Sequence, residues 1–104
     1  MTINNSIIIL MFVSVLSTGS ALAGGDVSRG QALAEGCADC HGDKGLGDDE
    51  FPAIAGMDEA DMRKALTDFK SGERVDEYEM MVETAADLNE QDIADLAAYF
   101  ATLP

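Results

Sequence analysis

Both cysteines and the only histidine of this 104-residue chain lie in the stretch CADCH, residues 37–41. Cys37 and Cys40 are three residues apart, about one turn of a helix, and His41 follows directly. This C-x-x-C-H order is the signature of covalent haem attachment, in which the two thiols bond to the haem and the histidine binds its iron. The sequence therefore predicts one haem c per chain, held by Cys37 and Cys40, with His41 as an iron ligand.

Three other chemistries of paired cysteines fit the chain less well. A thioredoxin-like redox pair needs its C-x-x-C motif in a βαβ unit, but residues 24–104 have no strand-like alternation. A structural zinc site needs four ligands, one more than this cluster supplies. A disulfide across two intervening residues closes so short a loop that it would add little stability. Haem attachment is therefore the preferred interpretation.

The start of the chain resembles a secretory signal peptide. An apolar run at residues 7–16 (IIILMFVSVL) is followed by small and polar residues and by Ala21-Leu22-Ala23, an A-x-A cleavage site. A retained membrane anchor is the alternative, but the run is shorter than the roughly 20 apolar residues that span a bilayer. We predict a signal peptide at residues 1–23, a single domain at 24–104, a periplasmic location and no stable membrane insertion after cleavage.

Three helices are predicted within residues 24–104. Asp26, Asp58 and Asn89 are side chains suited to capping helix N-termini, and Gly72 is suited to ending the second helix. The first helix should run to about Glu35. The apolar faces are Val27, Gly30, Ala34 and Cys37 in the first helix, Met62, Ala65, Leu66 and Phe69 in the second, and Ile93, Leu96, Ala97 and Phe100 in the third. This spacing is typical of amphipathic helices.

Residues 42–56 (GDKGLGDDEFPAIAG) are predicted to form a loop, because the stretch is rich in Gly and Asp and contains Pro52. A domain of this size buries only a modest share of its unfolded surface. A haem would supply the apolar surface that such a small core lacks.

The chain resembles class I c-type cytochromes, in particular small bacterial monohaem cytochromes and the single-haem domains of periplasmic dihaem cytochromes. The motifs that carry the resemblance are CADCHG at 37–42, FPAIAG at 51–56, DFKSGER at 68–74 and DIADLAAYF at 92–100. It implies an all-α class I cytochrome c fold, with three to four short helices around one covalently attached haem.

The resemblance also implies two specific contacts. Gly30 should pack against an aromatic side chain of the last helix, most simply Tyr99. The backbone carbonyl of Pro52 should accept a hydrogen bond from the His41 ring, which would fix the tautomer of the ligating imidazole.

The second iron ligand is the harder assignment, because the sequence holds six methionines. Met62 lies on an apolar helix face, where core packing is the simpler role, and Met57 ends the long loop. In the resembled family the ligand precedes the last helix by a roughly fixed interval. Matching Asp92 of DIADLAAYF to that interval implies Met81, with Met80 as the alternative.

Histidine and methionine ligation would leave no open position on the iron, which favours an electron carrier with no enzymatic activity of its own. A five-coordinate enzyme or gas sensor is the competing class, but it would need Met81 to be absent or labile. A third hypothesis is a haem-bearing cytochrome subunit of a flavocytochrome c sulfide dehydrogenase-like complex with a flavoprotein partner, because PAIAGM at residues 52–57 is similar to that subunit.

The charge balance bears on the partner. The chain has 20 Asp and Glu against 6 Lys and Arg, a formal net charge of −14, and every charged side chain lies in residues 24–104. Nucleic acid and anionic membranes are disfavoured partners. Acidic residues concentrate at 48–50 and at 75–83, and the second group flanks Met81. We therefore predict redox protein partners with a basic docking surface, the alternative being an evenly solvated acidic exterior.

Overall fold

The computed structural model describes residues 24–104; the predicted signal peptide at residues 1–23 lies outside the described residues. The described part is helical and contains no strand, which confirms the predicted all-α class. Its helices in chain order are α1 (Val27–Leu33), α2 (Glu35–His41), α3 (Glu59–Ser71), α4 (Met80–Ala86) and α5 (Glu90–Ala101). Within the described range no helix is long and apolar enough to cross a bilayer.

Residues 24–104 contain five helices, where three to four were predicted, because two short helices depend on their surroundings. The predicted first helix stops at Leu33, and Ala34, with ψ of −13°, separates it from α2. Helix α4 was not predicted at all. Each of α1, α2 and α4 has only seven residues, too few to be stable alone in water, so tertiary packing must stabilise them.

The predicted caps are present at the helix ends. The side chains of Asp26 and Asp58 each accept a hydrogen bond of 3.1 Å from the backbone N–H three residues later. Asn89 forms a reciprocal capping box with Asp92, with bonds of 2.8 and 2.9 Å. Gly72 ends α3 in the left-handed conformation at φ of 83°. These local signals set both ends of α3 and the start of α5.

Helices α1 and α5 cross in direct backbone contact. A Cβ atom on Gly30 would overlap the carbonyl oxygen of Asp95 and would lie 2.8 Å from the Cβ atom of Tyr99. The contact between Gly30 and Tyr99 that the resemblance implied is therefore present. Val27, by contrast, is 41% exposed and lies outside the buried face to which the helical spacing assigned it.

A buried carboxylate fastens the same crossing. Asp95, whose side chain is 0% exposed, accepts hydrogen bonds from the backbone N–H of Asp26 at 2.7 Å and from Arg29 Nη1 at 2.6 Å. Arg29 Nη2 also donates to Asp92 at 2.7 Å. Burial alone would raise the pKa of Asp95, but these bonds and one from Gln91 outweigh it and lower the pKa below its ordinary value. The ends of the domain are thereby tied together.

The buried core lies mainly between α3 and α5, with Ala34 joining it from the junction of α1 and α2. Met62 is buried there, as predicted, and Met57 packs against the cluster from the loop. The remaining core side chains are Leu66, Ile93, Leu96, Ala97 and Phe100. Cys37 and Met81 both pack against this same cluster, so the candidate site adjoins the core of the domain.

Candidate functional site

Helix α2 carries all three side chains of the C-x-x-C-H motif. His41 is its last residue and is buried, whereas Cys37 and Cys40 are partly buried free thiols. Burial raises the pKa of the Cys37 thiol, and the nearby Cys40 adds to the shift. One helical turn therefore directs a protonated thiol, a second thiol and an imidazole to one side of the domain.

The imidazole of His41 is oriented by Pro52. Its Nδ1 atom lies 2.8 Å from the Pro52 carbonyl oxygen, the contact that the resemblance implied. Because a carbonyl oxygen can only accept, Nδ1 must carry the hydrogen, and the neutral ring then has its lone pair on Nε2. Phe51 meets the ring edge-on, with centroids 6.3 Å apart. The arrangement prepares Nε2 to bind a metal ion, since ligating histidines usually donate from their other nitrogen.

The loop that carries Pro52 is held by backbone hydrogen bonds. Gly47 N–H donates to the His41 carbonyl at 2.8 Å, and Gly56 N–H donates to the Phe100 carbonyl of α5 at 2.9 Å. Gly47 has φ of 66°, and a Cβ atom there would overlap the Phe51 carbonyl oxygen. Only glycine allows so close a return of the chain. The position of the Pro52 carbonyl thus follows from the close packing of this loop.

Asp48 organises the turn just before Pro52. Its Oδ1 atom accepts hydrogen bonds from the N–H groups of Glu50 at 2.8 Å and Phe51 at 2.9 Å. These bonds lower the pKa of the Asp48 carboxyl, so it stays ionised. In the sequence, Asp48 stood out only as part of the acidic group at residues 48–50. The sequence does hold a local signal for this turn, because Asp side chains commonly accept hydrogen bonds from backbone N–H groups two or three residues later.

Met81 and Met80, the two candidate ligands on α4, face different environments. Met81 is partly buried and packs against the core cluster that Cys37 also contacts. Met80 is 42% exposed. Successive side chains of a helix point about 100° apart, so the two methionines cannot both face the core. The packing of Met81 therefore agrees with the family spacing.

Asp76 holds the beginning of α4. Its two carboxylate oxygens each lie 3.1 Å from the backbone N of Met81, and Oδ1 lies 3.4 Å from that of Val82. Partial burial alone would raise the pKa of Asp76, but the backbone N–H groups outweigh it and lower the pKa. The role of Asp76 was not predictable from sequence, because a bond across five positions into an unpredicted helix leaves no helical or turn signature.

The donor set fits a c-type haem. Two thiols one turn apart can form the two covalent links, a neutral imidazole oriented through Nδ1 can bind iron, and a thioether from α4 packs against the same core. A structural zinc site would instead use four thiolate, imidazole or carboxylate ligands. In the described part of the chain the motif offers only three such groups.

Comparison with known proteins agrees with this chemistry. The Cytochrome c family model matches residues 27–104. The chain is 37% identical over 99 residues to cytochrome c4 of Pseudomonas aeruginosa, covering 94% of this chain and 48% of that protein. It is also 36% identical over 76 residues to the cytochrome subunit of sulfide dehydrogenase from Chlorobaculum tepidum, covering 73% of this chain and 67% of the relative.

A solved structure shares the fold. The crystal structure of reduced recombinant cytochrome c4 from Pseudomonas stutzeri superposes with a TM-score of 0.71 at 30% identity, over 78% of this chain and 52% of that one. The predicted class I cytochrome fold is confirmed by this likeness. The chain thus spans about half the length of its cytochrome c4 relatives.

Proposed function

Because the chain belongs to the cytochrome c family, we propose that it is an electron-transfer protein that carries one electron at a time. Its cofactor is a covalently attached haem c, and Cys37 and Cys40 fit the motif that attaches it. The bound haem supplies a one-electron couple at its iron. The residues of the chain must attach the haem, ligate the iron and limit access to it.

The oriented imidazole is the observation that carries this proposal. His41 is buried directly after the two thiols, and its Nδ1 donates to Pro52 at 2.8 Å. We propose that His41 would bind the haem iron through Nε2, and that Pro52 would fix its tautomer and make Nε2 more electron-rich. Met81 is the other proposed ligand, supported by its packing against the core and by the 42% exposure of Met80.

Two protein ligands leave no coordination position for a substrate. A neutral thioether also favours ferrous iron and raises the reduction potential. We therefore propose that the chain itself has no enzymatic activity and that its haem exchanges electrons with other proteins.

A second candidate function is a subunit of a dehydrogenase complex, in which a flavoprotein partner would pass electrons to this haem. The likeness to the cytochrome subunit of sulfide dehydrogenase from Chlorobaculum tepidum favours it. Co-purification from native periplasm separates the two candidates. Stoichiometric recovery of a flavoprotein would support the subunit, whereas recovery of the cytochrome alone would support a free carrier.

The partner surface that we propose is the distal segment, residues 75–83, which ends in the first turn of α4. Three apolar side chains are exposed there, Val75 at 57%, Tyr78 at 75% and Met80 at 42%. Four carboxylates surround them in sequence, those of Asp76, Glu77, Glu79 and Glu83. The charge of the segment favours a redox partner with a basic surface, because opposite charges speed encounter. Its position beside the proposed ligand Met81 would bring that partner near the haem.

We also propose a periplasmic location after removal of residues 1–23. Support comes from the A-x-A sequence at 21–23 behind the apolar run. N-terminal sequencing of the mature protein tests it, and a protein that still begins with Met1 would contradict the proposed cleavage.

The proposed function is tested on the ferric holoprotein. Haem staining after denaturing electrophoresis should follow the chain, since thioether links survive denaturation; loss of the stain would contradict covalent attachment. A weak near-infrared band from sulfur–iron charge transfer should be present. It should vanish in Met81→Ala and persist in Met80→Ala. The reverse result would move the ligand to Met80, and a band unaffected by either change would overturn methionine ligation.

A further inference from the structure

The start of α4 is organised by one side chain. Asp76 accepts two kinds of hydrogen bond: its backbone carbonyl takes one from Glu79 N–H at 3.0 Å, and its carboxylate takes those of Met81 and Val82. The first N–H groups of any helix lack partners within the helix. The residue in the N-cap position, Glu79, makes no side-chain cap bond. Asp76, three residues before Glu79, therefore supplies the missing cap.

This turn contains local strain that the hydrogen bonds must offset. Glu79 has φ of 58°, the single positive φ among the described residues other than glycine. The left-handed conformation is unfavourable for a residue that carries a Cβ atom. Helix α4 is also too short to be stable by itself. Without the Asp76 carboxylate, Glu79 would leave the left-handed backbone conformation for a more favourable one. The backbone of Met81, two residues later, would move with it.

We propose that Asp76 is a positioning residue for the thioether of Met81. The inference rests on the proposed function, in which Met81 ligates the iron. Asp76 fixes the backbone N–H of Met81 through both carboxylate oxygens at 3.1 Å, and so limits the positions that the attached side chain can reach. A thioether is a neutral ligand that competing ligands can displace. Holding it in place raises its effective concentration at the iron.

Competition by an added ligand tests this positioning in the ferric holoprotein. Imidazole is titrated into the wild type and two variants while the near-infrared sulfur band is followed. Asp76→Ala removes the charge and the acceptors, whereas Asp76→Asn removes the charge but keeps one acceptor oxygen. We expect the imidazole concentration at half-saturation to fall roughly tenfold in Asp76→Ala, as loss of hydrogen bonds to a charged group would produce. It should fall by less in Asp76→Asn.

Asp58→Ala is the matched control. This change also removes a carboxylate that accepts a backbone N–H, that of Asp61 at 3.1 Å, but the helix that Asp58 caps is α3. This variant should lower the melting temperature and leave the imidazole titration unchanged. If Asp58→Ala shifts the titration as much as Asp76→Ala does, or if Asp76→Ala matches the wild type, the positioning role is wrong. If Asp76→Ala does not fold, wild-type behaviour in Asp76→Asn together with wild-type stability would also overturn it.

The Met81→Ala background separates this inference from the proposed function. No sulfur band remains there, so imidazole binding is followed by the visible absorption of the haem. Adding Asp76→Ala should change imidazole binding no further, because the ligand that Asp76 positions is gone. If Met81→Ala leaves the sulfur band intact, the ligand assignment itself fails. If Met81→Ala abolishes the band but Asp76→Ala has the same effect on imidazole binding with and without Met81, only the positioning role fails.

Discussion

Gly30 of α1 lies directly against the backbone of Asp95 in α5, with no room for a side chain between them. The same Asp95 accepts the N–H of Asp26, at the start of α1. A close backbone approach and a buried hydrogen bond therefore occur at the same helix crossing. Only glycine at position 30 leaves room for both.

Gly30→Ala should destabilise the holoprotein by about 2–3 kcal/mol, because the added methyl group forces α1 away from α5. Urea unfolding followed by circular dichroism measures the change. Gly36→Ala is the control, since a Cβ there would meet no atom within 4 Å beyond its chain neighbours and its own helix backbone. It should be neutral or stabilise by up to about 1 kcal/mol. Equal stability of the Gly30 variant and the wild type would contradict the close contact.

Asp95→Asn should lower stability at neutral pH by about 2 kcal/mol, the order expected for a hydrogen bond to a charged group. The pKa of Asp95 is lowered in the folded protein from an ordinary value of 3.8. Its contribution is therefore present above about pH 4 and is lost as the pH falls through the folded pKa. Urea unfolding across pH 2.5–7 should show the gap between wild type and variant closing below about pH 4.

Asp49→Asn is the control for that pH series, because Asp49 is exposed. Its stability difference from the wild type should be small at every pH. Protonation of other carboxylates affects all three proteins alike and cancels in the comparison. A gap between wild type and Asp95→Asn that stays constant down to pH 2.5 would contradict the lowered pKa.

Gly47→Ala should raise the reduction potential. The added Cβ would overlap the Phe51 carbonyl oxygen and displace the loop whose Pro52 carbonyl holds the His41 ring. A weaker bond at Nδ1 makes Nε2 a poorer donor, which stabilises ferric iron less. Redox titration measures the shift. Gly72→Ala is the control, because Gly72 also has a positive φ, of 83°, but a Cβ there would meet no atom within 4 Å beyond its chain neighbours. It should leave the potential unchanged. Equal potentials in the wild type and both variants would refute the coupling between the loop and the iron.

Electron transfer to a basic partner should slow as salt rises through about 0.1 M, where the Debye length is about 10 Å. Glu77→Gln, in the distal segment, should reduce the slope of rate against ionic strength. The control is Asp61→Asn, which removes one negative charge near the start of α3. Asp61 lies about 15 Å along the helix from the end of α3 that precedes the distal segment. This variant should change the slope less. Stopped-flow rates measure both. Identical slopes would mean that total charge, and not the distal segment, governs the encounter.

The sequence by itself determined the features whose causes are local. The C-x-x-C-H motif, the capping residues Asp58 and Asn89 and the αL glycine at 72 act within four residues along the chain. The haem motif, both ends of α3 and the start of α5 were therefore predictable. The proposed ligand Met81 rests on family spacing, and its packing against the core supports that proposal.

Only the tertiary structure decided the features whose partners are distant in sequence. Asp95 bonds residues 66 and 69 positions away, and no periodic pattern encodes such a pair. Helix α4 forms because Asp76 caps it and the core accepts Ala85, which is 0% exposed; the helix propensity of seven residues is insufficient. The same packing separates Met81 from Met80. Short helices and ligand orientation follow from contacts that exist only after the chain has folded.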